Sequence, residues 1–387
     1  MLLAIDTSCD ETALTVLDIG KVLRGEALSG ELIRSEIISS QVKLHQPYGG
    51  VVPELASREH LKNLPILFKN CLSQAGIKKE DISAVAVTRG PGLNGCLLVG
   101  LCFAKAFAAV RRVPLLALNH MEGHIFAVEL TGKQIQYPAL ALVVSGGHTM
   151  LVSMQGFRQY KILAKTRDDA AGEAFDKAAN LLGLGYPGGA ALSKLAERGN
   201  SQAYKLPIGL STDPTAFSFS GLKTAVSRLI SSVGANYYSP NDMCASIQHA
   251  IVKALVDKTV SAISTFANVS AVASAKVEAS ADASAHHTQP KTLILAGGVA
   301  SNQYLRDWLS KEATTRNINF LVPPQKWCTD NASMIAALAA RVIIENKEKF
   351  LNWQSSGISE EGKVGVEIGI DTRSDISALS RWSLAEL

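Results

Sequence analysis

A chain of 387 residues, 47% hydrophobic and 19% charged, has the composition of a globular protein with room for two domains, which excludes a disordered or fibrous chain. Its formal charge of +4 permits a nucleic-acid partner without requiring one. The six cysteines form no C-x-x-C, which excludes the common structural zinc patterns and suggests reduced thiols, and no run reaches the roughly 18 uncharged apolar residues of a membrane span.

The chain starts on an apolar strand, Leu2–Asp6, so any leader segment is expected to be absent or already removed. A tight polar turn follows, Thr7-Ser8-Cys9-Asp10-Glu11-Thr12, and then strands over residues 13–17 and 33–41. Residues 53–76 carry leucines at helical spacing, and Pro65 is expected to divide or kink that helix. A β-branched strand over 82–88 meets the glycine turn Gly90-Pro91-Gly92-Leu93-Asn94-Gly95, which opens an apolar helix over 96–110. A strand over 114–118 leads directly into His120-Met121-Glu122-Gly123-His124.

The pattern then repeats. Residues 139–144 read as a strand, Ser145-Gly146-Gly147-His148-Thr149 as a turn, and 150–154 and 158–165 as two more strands. Turns of this kind present backbone N–H groups to anions. Two at matching places suggest a duplicated α/β unit that binds a nucleotide. A third glycine turn, Ala296-Gly297-Gly298-Val299-Ala300-Ser301-Asn302, joins a strand over 292–295 to a helix over 303–311 and puts a helix N-terminus at the sheet edge. Residues 268–290 are Ala/Ser-rich without periodicity and read as a flexible surface insertion. The tail over 355–367 reads as loop, and Arg381-Trp382-Ser383-Leu384 is apolar enough to dock back on the body.

Two of the chain's eight histidines stand four apart at the end of the 114–118 strand. On a helix that spacing puts both on one face, about 6 Å apart, where they can share a metal ion. The plain alternative is a pair of satisfied helix-end histidines. Asp330, just before an alanine-rich helix over 332–344, is the best third ligand, although an aspartate there is also a common helix cap. Two imidazoles and one carboxylate with open positions suit Fe(II) or Zn(II). Asp176, read at the start of a helical stretch with Lys177, could bind ribose hydroxyls or serve only as a favourable helix-start charge.

The segments IDTSCDET, YGGVVPELASREH, TRGPGLNGCLLVG, NHMEGH, SGGHT, DDAAGEAFDKAANLLGLGYPGG, FSFSGLKTAV, LAGGVASNQYLR and CTDNASM run from Ile5 to Met334. In that order they closely resemble the tRNA threonylcarbamoyladenosine synthase family, once called O-sialoglycoprotein endopeptidases. The resemblance implies an α/β protein of the actin/sugar-kinase/Hsp70-like fold, two ribonuclease-H-like subdomains around a nucleotide cleft. The expected division is residues 1–135, 136–330 and a C-terminal helix and tail over 331–387.

It implies transfer of a threonylcarbamoyl group from threonylcarbamoyl-AMP to the exocyclic amine of the adenosine 3′ of the anticodon in ANN-decoding tRNAs, with release of AMP. His120, His124 and Asp330 would then hold one divalent metal, iron or zinc, per subunit. Val143, Val144, Ser145, Gly146, Gly147, Asp176, Gly189 and Asn302 match adenylate-holding positions, with AMP or ATP able to bind there. Asp10 and Glu11 become candidate catalytic contacts near the reacting group. The implied partners are tRNA, an upstream threonylcarbamoyl-AMP synthase and a second copy of the chain, with no membrane. Lys43, Arg58, Lys62, Arg111 and Arg112 are candidates for meeting the tRNA backbone. The insertion and the first turn together favour the mitochondrial matrix, with the bacterial cytoplasm as the alternative.

Rival readings are a metal-dependent glycoprotease, a sugar kinase or ATPase of the same fold, and a non-catalytic scaffold. A zincin helix has glutamate directly after its first histidine, whereas this chain has Met121 there.

Overall fold

A computed structural model describes residues 1–233, 238–274, 289–356, 370–371 and 377–387. The chain divides into two compact units, Met1–Gln134 with Pro323–Glu386, and Ile135–Val322. It returns to the first unit at Pro323 rather than at 331, so Asp330 belongs to the same unit as the histidine pair.

Both units are built on one strand order. In the first, β1 (Leu2–Asp6) pairs antiparallel with β2 (Glu11–Leu17), and β2 antiparallel with β3 (Ile33–Ser40). On its other edge β1 runs parallel to β4 (Ala84–Gly90), and β4 parallel to β5 (Leu115–Asn119). The second unit repeats this with β6 (Ala139–Val144) antiparallel to β7 (Thr149–Gly156) and β7 antiparallel to β8 (Gln159–Thr166). The two-residue β9 (Ala216–Phe217) extends that edge, while β10 (Thr292–Ala296) and β11 (Asn319–Leu321) continue parallel from β6. A short β12 (Ile370–Asp371) pairs antiparallel with β5. The shared order, β3-β2-β1-β4-β5 and β8-β7-β6-β10-β11, is ribonuclease-H-like, and it makes the expected duplication a structural fact.

Strand alternation sorts the first sheet's faces. Leu3 and Ile5 of β1 join a core with Leu64, Leu101 and Ala104 from the helices Pro53–Ala75 and Asn94–Arg111. Residues 2, 4 and 6 face the opposite way. There Thr15 of β2 meets Ser333 at 2.9 Å on the helix Ala332–Glu345. Every residue of β1 and of β6 is buried, so these central strands read as continuous apolar runs.

Pro65 does not divide its helix, which is continuous over Pro53–Ala75. The carbonyl that loses its donor belongs to Leu61, itself 67% exposed, so it faces water and not a dry core. The Ala/Ser segment also begins differently from expectation. The helix Pro240–Ser274 runs into it, because Ala and Ser continue an established helix at little cost; the remainder, 275–288, lies outside the described residues. Of the tail, 357–367 is likewise outside them, and Ser355 and Ser356 end the helix Lys347–Ser356. Among the described residues one helix, Asn94–Arg111, is long and apolar enough to cross a membrane by length and composition alone. Its Leu97, Leu101, Ala104 and Ala108 are buried against the first sheet and the neighbouring helix.

Candidate functional site

His120 and His124 sit on the helix His120–Phe126, which leaves directly from the end of β5. Asn119 caps it. Its Oδ1 accepts from the Met121 N–H at 2.9 Å and the Glu122 N–H at 3.2 Å, while its Nδ2 donates to the Trp382 carbonyl at 3.2 Å. The docked tail is further held by the Arg89 guanidinium, 5.5 Å from the Trp382 ring centroid, and by buried Leu384. Every residue of the His120–Phe126 helix is buried. Gly123 faces the helix Ala332–Glu345, and a Cβ there would lie 2.9 Å from Ile335 Cδ1. The missing side chain lets the two helices close on each other.

Just before the helix Ala332–Glu345 stands the third candidate, Asp330. The helix Ala332–Glu345 is capped by Asn331, not by Asp330, through a 2.8 Å bond from the Met334 N–H to Asn331 Oδ1. Asp330 is therefore free of capping, and its Oδ1 lies 3.1 Å from His124 Nε2 and 3.4 Å from His120 Nε2. All three ligand atoms lie within 4.8 Å of one another, and no other such trio occurs among the described residues. Bonds of about 2.1 Å at right or tetrahedral angles place ligand atoms roughly 3.0–3.4 Å apart, the range of the two distances from Asp330 to the histidines. Burial opposes charge on His120, yet Asp330 and Asp6 outweigh it; with no ion between the ligands they hold the imidazolium up to about 10. Burial pushes Asp330 up, and facing His120 and His124 overcome it, holding its carboxyl well below the usual range. A metal ion held here would therefore have to displace a proton.

The first polar turn lies close by. Glu11 is pushed up to about 9, first by burial and then by the charges of Asp330 and Asp10, against a 3.2 Å hydrogen bond from Ser40 Oγ. His60 braces this turn, with Nε2 2.9 Å from the Cys9 carbonyl and Nδ1 2.7 Å from Thr12 Oγ1. Neither His60 nor Asp6 and Ser8, which back His120, was singled out in the sequence. The signal available was a charged residue ending a fully apolar strand.

In the second unit the expected adenylate residues form a connected set. Gly146 and Gly147 are exposed at the β6–β7 turn, closed by a 2.8 Å bond from the Ser145 N–H to the His148 carbonyl. Val143 and Val144 are fully buried, so only their backbone can serve a ligand. Gly172, on the helix Ala171–Leu181, packs on the turn: a Cβ there would lie 2.6 Å from the Ser145 carbonyl oxygen. Asp176 is in the middle of that helix rather than at its start, and its Oδ1 accepts from both Gly188 and Gly189 N–H at 2.9 Å. The helix Gly189–Ala196 then reaches Asn302 through Ser193. Asn302 caps the helix Gln303–Thr315 by accepting from the Leu305 N–H at 2.9 Å. Its Nδ2 donates to Ser193 Oγ at 2.9 Å and Gln248 Oε1 at 2.7 Å, so both amide hydrogens are committed.

Of the candidate tRNA contacts, Lys62 pairs with Glu59 at 3.2 Å and Arg111 donates to the Glu80 carbonyl at 3.0 Å. Lys43, Arg58 and Arg112 are exposed.

Two ribonuclease-H-like units, one with a metal triangle and one with glycine turns, define a protein of the actin/sugar-kinase/Hsp70-like class. The profile of one family, TsaD: tRNA N6-adenosine threonylcarbamoyltransferase, matches residues 32–337, and the chain belongs to that family. Proteins named tRNA N6-adenosine threonylcarbamoyltransferase are similar throughout. The one from Caldicellulosiruptor saccharolyticus is 43% identical over 339 residues, covering 87% of this chain and 91% of the relative. That from Dehalococcoides mccartyi is 44% identical over 351 residues, 91% and 96% of the two chains. That from Desulfitobacterium hafniense is 46% identical over 338 residues, 87% and 90%.

Proposed function

We propose that the chain transfers a threonylcarbamoyl group from threonylcarbamoyl-AMP to the exocyclic amine of the adenosine 3′ of the anticodon in ANN-decoding tRNAs, releasing AMP. The observation that carries this reading is the His120–His124–Asp330 triangle, assembled in a chain of this family from residues over 200 positions apart. The mixed anhydride is already activated, so no protein nucleophile is needed. The amine forms the new bond to the carbamoyl carbon, and AMP leaves with the bridging oxygen.

The residues divide this work. Gly146 and Gly147 N–H groups, with Gly188 and Gly189 fixed by Asp176, are suited to the adenylate phosphate and ribose. Asn302, with its hydrogens committed, holds a helix N-terminus in place for the same ligand. Glu11, whose carboxyl is pushed up by burial and by the charges of Asp330 and Asp10, is suited to donate to a substrate oxygen, while Asp10 is the candidate acceptor for the amine proton. His120, His124 and Asp330 would hold a divalent ion, which would supply Lewis-acid chemistry to the carbamoyl group; the donor set suits iron or zinc. The adenine must leave its stack to present its amine, which an anticodon loop permits.

A homodimer has support in exposed Leu61 and Ile66 on the helix Pro53–Ala75 and exposed Leu98 and Val110 on the adjacent Asn94–Arg111, which light scattering can test. The three relatives named are bacterial, which favours the bacterial cytoplasm over the mitochondrial matrix for this chain. The deciding experiment mixes the protein with unmodified tRNA, threonine, bicarbonate, ATP and a threonylcarbamoyl-AMP synthase, and reads the nucleosides by mass spectrometry. Failure to form the modified adenosine with a metal-loaded preparation would sink the reading. Metal-dependent cleavage of a glycoprotein would revive the protease alternative.

A further inference from the structure

The two histidines of the triangle are backed differently. His120 Nδ1 lies 3.1 Å from Ser8 Oγ and 3.6 Å from Asp6 Oδ2. Ser8 Oγ in turn donates to Asp6 Oδ2 at 3.3 Å. A hydroxyl has one hydrogen. With that hydrogen given to the carboxylate, Ser8 can only accept from His120. In the neutral ring the proton therefore belongs on His120 Nδ1, which leaves the Nε2 lone pair on the side of Asp330 and His124. Behind His124 there is no counterpart: its Nδ1 is buried and without a hydrogen-bond partner among the described residues.

Asp6 makes little sense as a stabilising residue. It is fully buried at the end of β1, and its Oδ1 has no hydrogen-bond partner among the described residues. A buried carboxylate so poorly satisfied costs stability that an apolar side chain at this strand end would not. Its geometry does serve one purpose. Metal-binding histidines generally give their other ring N–H to an oxygen acceptor, which fixes the tautomer and the ring, and removing that acceptor lowers metal affinity about 10–100-fold.

We propose that Asp6, acting through Ser8, is a positioning residue for the metal site: the relay keeps the proton on His120 Nδ1 and so keeps Nε2 turned to the ion. This rests on the metal reading above. It sets an order of importance within the first turn, where Asp6 and Ser8 prepare the ligand and Asp10 and Glu11 are left for the substrate.

The test uses the full chain and zinc alone, without tRNA or adenylate. Zinc affinity is measured by competition with a chelator, and the His120 tautomer by NMR of protein with 15N-labelled histidine. The zinc-bound parent should carry the His120 proton on Nδ1. Ser8→Ala should weaken zinc about 10–100-fold at an unchanged melting temperature, and Ser8→Thr, which keeps the hydroxyl, should recover most of the loss. In Asp6→Asn the side-chain amide can donate, which reverses the relay and should shift His120 toward the Nε2–H form. A zinc-bound parent with its proton on Nε2, or a folded Ser8→Ala that holds zinc as tightly as the parent, overturns the relay and leaves the metal site standing. A parent that binds no zinc overturns the metal reading itself, and the relay with it. The tautomer is read in the parent, so the outcome does not depend on a variant folding.

Discussion

The two units share a strand order but put different chemistry on the same loop. Between β1 and β2 the turn presents side chains, Ser8, Asp10 and Glu11, next to a cluster of imidazoles and carboxylates. Between β6 and β7 the equivalent turn presents backbone, with Gly146 and Gly147 exposed and no bulky group above them. A side-chain site tunes charge and holds metals, and it must solve a burial problem for each charged group. A backbone site suits phosphate and is limited mainly by how closely its neighbours pack. Duplication therefore supplies the scaffold twice, and the two turns diverge by composition alone.

The largest effect should come from breaking the side-chain half. His124→Ala or Asp330→Ala removes one of three ligands, so bound metal should fall to near zero and transfer by roughly 100-fold or more, while AMP affinity stays unchanged by calorimetry. A coupled loss of AMP binding would erase the proposed division of labour. Next is the backbone half. Gly172→Val puts a branched side chain where even a Cβ would lie 2.6 Å from the Ser145 oxygen. Overpacking of about 1–3 kcal/mol should displace the turn and weaken AMP about 10-fold, with metal content intact by elemental analysis.

A smaller change is expected from Asp176→Ala. Gly188 and Gly189 each lose an acceptor, which should lower stability by about 1–3 kcal/mol and AMP affinity several-fold. Asp176→Asn, which keeps an acceptor oxygen, should do much less, and denaturant titration separates the two. The smallest signal is a proton count. His120 is raised from its usual 6.5 to about 10, so without an ion it holds a proton that must leave when Nε2 becomes a ligand. Zinc binding near pH 8 should release about one proton, and the release should fade as pH rises through about 10. The same sign applies to folding without metal: this contribution is complete below 6.5 and lost as pH rises through about 10. Equal proton release by His120→Ala would contradict the assignment.

Much of this was legible before the fold was known. Apolar strands and glycine turns mark themselves locally, and two histidines four apart need only a helix to meet. Less legible was which of two adjacent Asx residues caps a helix: Asp330 and Asn331 both can, and in the fold Asn331 takes the cap while Asp330 turns to the histidines. Asp176 was misplaced along its helix because Gly172 reads as a breaker, while in the fold it is a contact surface. Pro65 suggested a division because sequence does not say which side of a helix faces water. Asp6 escaped notice because a strand-end aspartate ordinarily marks the start of a turn.

The first unit is discontinuous, closed only when the chain returns at Pro323. A ribosome makes the protein in the opposite order of need. The second unit is complete as a sequence by Val322, while the first still lacks the helix Ala332–Glu345 that covers β1 and β2 and the aspartate that completes the triangle. Both histidines have by then been waiting for some 200 residues of synthesis, His120 next to the Asp6 carboxylate but both without the one that joins them. On the proposed metal reading, capture has to wait until Asp330 has been made. A nascent chain halted before Asp330 should therefore hold no metal, which elemental analysis of stalled chains would check.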